Sequence, residues 1–153
     1  MQSTPPLTNR TNSWFTVLNP LAEVRLPYQV ATVLYCAAIF WLSAQPAPPV
    51  PKVRFPGDDK VAHAVLYGGL AATLALGVRR DRGASRLRLL VVPIAFVAFY
   101  GATDEIHQYF VPPRTCDAFD WLADVTGALA AQVCLFRFVW RVPLLRNVED
   151  GAQ

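Results

Sequence analysis

Three stretches of the chain concentrate side chains that can do chemistry. Asp59, Lys60, His63 and Tyr67 follow one another at helical spacing, Glu105 and Gln108 stand three apart with Arg114 beyond them, and Asp120 and Asp124 stand four apart. A carboxylate four residues before a histidine can orient the imidazole as an acid or base, and Glu105 with Asp120 is a candidate carboxylate pair. Lys60 and Arg114 suit phosphate, the arginine through its bidentate fork. Carboxylates with a histidine also suit Mg²⁺, Mn²⁺ or Zn²⁺. No HExxH-type zinc spacing occurs and no cysteine stands beside a histidine. Spacing alone therefore implies no metal, no cofactor and no thiol nucleophile.

The elements that carry these residues are apolar. The 153 residues are 54% hydrophobic and only 16% charged, with a mean hydropathy of +0.29. A soluble domain averages about 25% charged residues, so the deficit points to a bilayer. Four apolar segments are expected as helices: about Tyr28 to Ala44, Val61 to Val78, Leu89 to about Phe110, and Phe119 to Trp140. Each approaches the roughly 20 residues that cross a bilayer core. The prediction is an all-α membrane protein, a four-transmembrane-helix bundle.

The connectors agree. Five prolines from Pro46 to Pro56 force an extended loop, residues 79–88 read RRDRGASRLR, and Pro112-Pro113 ends the third helix while Asp117 can cap the fourth. Residues 1–26 are expected as a loose polar tail, 27–141 as the membrane domain and 142–153 as a second tail. The first apolar run fits a retained helix better than a cleaved signal, because Leu42-Ser43-Ala44 precedes Gln45-Pro46. Cys36, Cys116 and Cys134 imply no disulfide framework.

Orientation follows from Lys and Arg. Arg10, Arg25, the five arginines at 79–88, Arg137, Arg141 and Arg146 make ten on one side; Lys52, Arg54, Lys60 and Arg114 make four on the other. Both termini are expected in the cytoplasm, with loops 45–60 and 111–118 facing outward. The arginine cluster is then a topogenic signal rather than a nucleic-acid patch.

Seven of the eleven acids fall at the outward helix ends: Asp58, Asp59, Asp104, Glu105, Asp117, Asp120 and Asp124, joined by His63 and His107. At 100° per residue, Asp59, Lys60, His63 and Tyr67 share a sector of about 100°. Gly101, Asp104, Glu105 and Gln108 share a similar one, and Asp117, Asp120, Asp124, Gly127 and Ala131 about 80°. Three polar stripes can thus face one centre, with Asp124 about 6 Å deeper than Asp120. Gly68 and Ala72, like Gly127 and Ala131, continue the stripes with small residues that let backbones approach.

The blocks Asp59-Lys60-x-x-His63-x-x-x-Tyr67 and Glu105-x-x-Gln108, then Pro113-Arg114, Asp120, Asp124 and Gly127, resemble the VanZ-like family of small bacterial membrane proteins. The Ser43-to-Pro46 end of the first helix fits the same pattern, and the resemblance spans about residues 28–135. The founding member is associated with low-level resistance to the glycopeptide teicoplanin. Many members carry Asn where this chain has Asp124. The resemblance implies a multi-pass protein of the bacterial inner membrane, in contact with lipids, and a link to the cell envelope. Four readings of the polar cluster stay open. It binds a lipid-linked or cell-wall-related ligand; it performs acid/base or metal-assisted hydrolysis or transfer; it only pairs helices; or it carries protons in a small ion-coupled transporter. Assembly into a homo-oligomer is compatible with all of them.

Overall fold

A computed structural model describes residues 13–47, 56–80 and 84–140, without the side chains of 13–25. Four α-helices run α1 Ser13–Ser43, α2 Asp58–Arg79, α3 Arg86–Tyr109 and α4 Ala118–Cys134, and α4 continues as a π-helical turn over Leu135–Val139. No strand occurs among the described residues. Leu26–Ser43, Asp58–Arg79, Arg86–Tyr109 and Ala118–Val139 are each long and apolar enough to cross a membrane. The four expected segments are therefore the four helices of an all-α membrane bundle.

Local chemistry sets the boundaries. Gly57 turns the chain into α2 with φ 88°, a left-handed conformation that costs other residues free energy. Ser85 caps α3 by accepting from Arg88 N at 3.1 Å. Asp117 caps α4 by accepting from Phe119 N at 2.8 Å. Pro93 lies inside α3 and is buried, a position that neighbouring helices tolerate in membrane spans.

One expectation changes at the N-terminal end. Of the tail expected through residue 26, residues 13–26 are helical, because α1 begins at Ser13, and residues 1–12 lie outside the described residues. Its polar composition hid the helix; Trp14, Phe15, Val17, Leu18 and Leu21 recur closely enough for a helical start.

Burial runs opposite to that of a soluble protein. Val33, Leu34, Phe99, Phe119, Val133 and Phe138 are exposed, whereas Asp104, Glu105, Gln108, Asp120, Asp124 and Gln132 are buried. Lipid solvates the apolar exterior, and polar side chains are kept inside where partners can meet them. A small apolar centre of Ile39, Tyr67, Leu70, Ala71, Val97 and Ala128 holds the middle.

The principal contact is α2 against α4, with α3 beside both and α1 packed on α2 and less on α3. Glycine makes the α2–α4 approach possible. A Cβ on Gly127 would fall on the Ala64 carbonyl oxygen, and a Cβ on Gly68 would lie 3.0 Å from the Gly127 carbonyl oxygen. Antiparallel alternation then gathers the α2 start, the α3 end, the α4 start and Ser43 at one end of the bundle. Arg79, Arg80, Arg86, Arg88 and Arg137 belong to the other.

Candidate functional site

The outermost node is Lys60, in the first turn of α2. Its ammonium donates to Asp59 Oδ2 at 3.0 Å, Asp117 Oδ2 at 3.1 Å and Asp120 Oδ1 at 2.9 Å. An ammonium has three protons, so these acceptors occupy it fully. Two of them come from the α4 start, which locks α2 to α4 at the membrane surface. The Phe119 amide first, and the Lys60 ammonium second, hold the Asp117 carboxyl below its ordinary value.

His63 lies one turn deeper on the same face. Its Nδ1 is 2.9 Å from Asp124 Oδ1 and its Nε2 is 3.9 Å from Asp120 Oδ2. The ring lies parallel to Tyr67, with centroids 6.1 Å apart. Asp124 is fully buried, and Gly101 makes the room: a Cβ there would stand 2.7 Å from Asp124 Oδ2. Four residues along α3, Glu105 accepts from Asp117 N at 2.8 Å through Oε2. Glu105 therefore anchors the loop before α4 onto α3. Three buried oxygens here, Glu105 Oε1, Asp124 Oδ2 and the Tyr67 hydroxyl, have no hydrogen-bond partner among the described residues.

A second relay runs along α3. Gln108 Nε2 donates to Asp104 Oδ2 at 3.0 Å, and Gln108 Oε1 accepts from Arg114 Nη2. A cluster that only paired helices would have Arg114 meet Asp59, Glu105 or Asp120. Instead its described partner is an amide, and no carboxylate among the described residues lies within ion-pair distance of it. Asp117 N and Lys60 have already engaged Glu105 and Asp120, so the neutral Gln108 is what faces the guanidinium.

Between these groups lies a cavity of about 600 Å³. Its polar wall includes Asp58, Asp59, His63, Tyr67, Asp104, Gln108, Arg114 and Asp120; Ile39, Leu42 and Leu66 form an apolar wall with Ser43 at its edge. Of the nine residues singled out from sequence, six line the cavity. Lys60 and Asp124 bond to lining residues from behind, and Glu105 holds Asp117 N beside them. His107 does not join the cluster: its ring stacks on Phe40 of α1, with centroids 4.5 Å apart. Ser43, Ile39 and Leu42 were not among the expected site residues. An apolar stripe carries no chemical signature, though Ser43 stands within the Ser43-to-Pro46 motif.

Four spanning helices around a polar cavity at one end define a small multi-pass membrane protein. The family model for VanZ/LLP1 matches residues 7–140, and the chain belongs to that family. No curated protein and no solved structure matches it.

Proposed function

We propose that the cavity binds an anionic amphiphile of the cell envelope, a lipid-linked or cell-wall-related molecule, at the extracytoplasmic face of the bacterial inner membrane. The observation that carries this reading is the contrast between the two cations. Lys60 is occupied by three carboxylates, while Arg114 lines the cavity with an amide as its described partner. A guanidinium so placed favours a phosphate or carboxylate, gripped through two parallel N–H donors. Ile39, Leu42 and Leu66 opposite suit a hydrocarbon portion, and the Tyr67 hydroxyl suits a polar head. A contribution to teicoplanin-type resistance would follow if that molecule is a cell-wall precursor.

The test is lipid copurification and native mass spectrometry. Wild-type protein is expected to retain a phosphate-bearing lipid that Arg114→Gln loses at unchanged abundance. Equal retention by both proteins rejects the reading.

A second reading, acid/base hydrolysis or transfer, is favoured by one contact, His63 Nδ1 to Asp124 Oδ1 at 2.9 Å. A buried carboxylate that orients an imidazole is the arrangement a general base needs. Turnover of phosphate-ester lipids that disappears in His63→Gln would support it; bound lipid recovered unchanged would reject it.

A further inference from the structure

We propose that His63, Glu105 and Asp124 form a binding site for one divalent cation of the Zn²⁺ or Mn²⁺ class. The site stands on its own ligand geometry and does not depend on the anionic-amphiphile reading. The three residues come from α2, α3 and α4, so no sequence spacing announces them. One ligand atom from each lies within 4.8 Å of the others.

Two independent observations point to a ligand. Glu105 is 3% exposed and Asp124 0% exposed, yet Glu105 Oε1 and Asp124 Oδ2 are buried with no hydrogen-bond donor among the described residues. An unsatisfied buried carboxylate oxygen is expensive, and metal coordination is one of the standard ways to satisfy it. Asp124 Oδ2 lies against the Gly101 backbone, on the same face of α3 as Glu105 one turn away. One oxygen of each carboxylate thus lies within 4.8 Å of the other and of a His63 ring nitrogen.

The distances fit as well. Nδ1 of His63 and Oδ1 of Asp124 are 2.9 Å apart. Adjacent ligands of an octahedral cation with bonds of about 2.1 Å are about 3.0 Å apart, so an ion seated beside the line between the two atoms can take the place of the shared proton with a tilt of the His63 ring and little change in their separation. One imidazole with two carboxylates is a donor set for zinc or manganese, with water completing the shell. Neighbouring groups supply an outer shell: Asp117 N holds Glu105 Oε2, and Asp120 Oδ2 stands 3.9 Å from Nε2. Such contacts orient metal ligands.

The full chain, purified in detergent and stripped with EDTA, is titrated with Mn²⁺ and Zn²⁺. Elemental analysis counts ions, and electron spin-echo spectroscopy of bound Mn²⁺ reads nitrogen coupling from an imidazole. One ion per chain with a nitrogen signal is expected. Glu105→Gln and Asp124→Asn should each weaken binding at least about tenfold, the loss that even an outer-shell change brings. His63→Gln should remove the nitrogen signal, and Thr126→Ala on the outer face of α4 should change nothing. Helical, monodisperse wild-type protein that binds neither ion overturns the site. So does bound Mn²⁺ without nitrogen coupling, a reading that needs no variant to fold. An unchanged ion count in folded Glu105→Gln overturns it too.

Discussion

His63 on α2 and Asp124 on α4 meet at 2.9 Å, with the carboxylate fully buried. The contact is the deepest tie between two side chains of the most closely packed helices among the described residues. Asp124→Asn keeps an acceptor of the same shape, whereas Asp124→Leu strands the imidazole. The Asn variant should stay folded in detergent, and the Leu variant should lose about 1–3 kcal/mol, read as thermal unfolding of each. Equal stability of the two would show that the hydrogen bond does not hold the bundle.

Close backbone approach predicts a different sensitivity. A methyl group on Gly127 meets the Ala64 carbonyl oxygen, with rigid backbone on both sides. Gly127→Ala should therefore cost about 1–3 kcal/mol or prevent assembly, as overpacking does. Gly57 has φ 88° and nothing within 4 Å of an added Cβ. Gly57→Ala should lose only the backbone term, about 1 kcal/mol. Melting temperatures in one detergent check the order of the two.

Acid sensitivity at the membrane surface follows from Asp117. Its carboxyl is held below the ordinary value of 3.8 in the folded protein by the Phe119 amide and then by Lys60. A depressed folded-state value means the stabilisation is complete above the unfolded value and is lost as pH falls through the folded one. Wild type should exceed Asp117→Asn in stability by a constant amount from about pH 7 to pH 5, and the gap should close below about pH 4. Unfolding curves of both proteins across that range test it.

Reporter fusions address orientation. Those at residues 84 and 149 should be cytoplasmic, and those at 53 and 114 external, given ten basic residues against four. The reverse pattern would turn the cavity inward.

Much of this architecture is legible in the residues themselves, for a physical reason. A bilayer demands long apolar runs and makes each intramembrane charge conspicuous, so both the spans and the polar stripes stand out. Cap chemistry is equally local, and Asp117 carries it visibly. Pairing across helices is not local. Gln108, rather than an acid, faces Arg114 because Lys60 and the Asp117 amide already engage the nearer carboxylates. His107 turns to Phe40 because its position on α3 faces α1. The same limit hid the buried triad, whose members are 42 and 19 residues apart along the chain (63 to 105, 105 to 124).

The placement of α1 bears on how a molecule reaches the cavity. It supplies Ile39, Leu42 and Ser43 to the wall, yet packs on α2 and only slightly on α3. Toward the cavity end its specific ties among the described residues are few: Tyr100 donates to the Cys36 carbonyl at 2.7 Å, and Phe40 stacks on His107; Arg80 holds Tyr28 at the opposite end, donating to its hydroxyl at 3.4 Å and lying over its ring. The other three walls are cross-linked by carboxylates and glycine contacts. On the proposed reading, α1 is then a side door rather than a pillar: a long-chain molecule would enter beside it, with its head toward Arg114 and its tail still in the hydrocarbon.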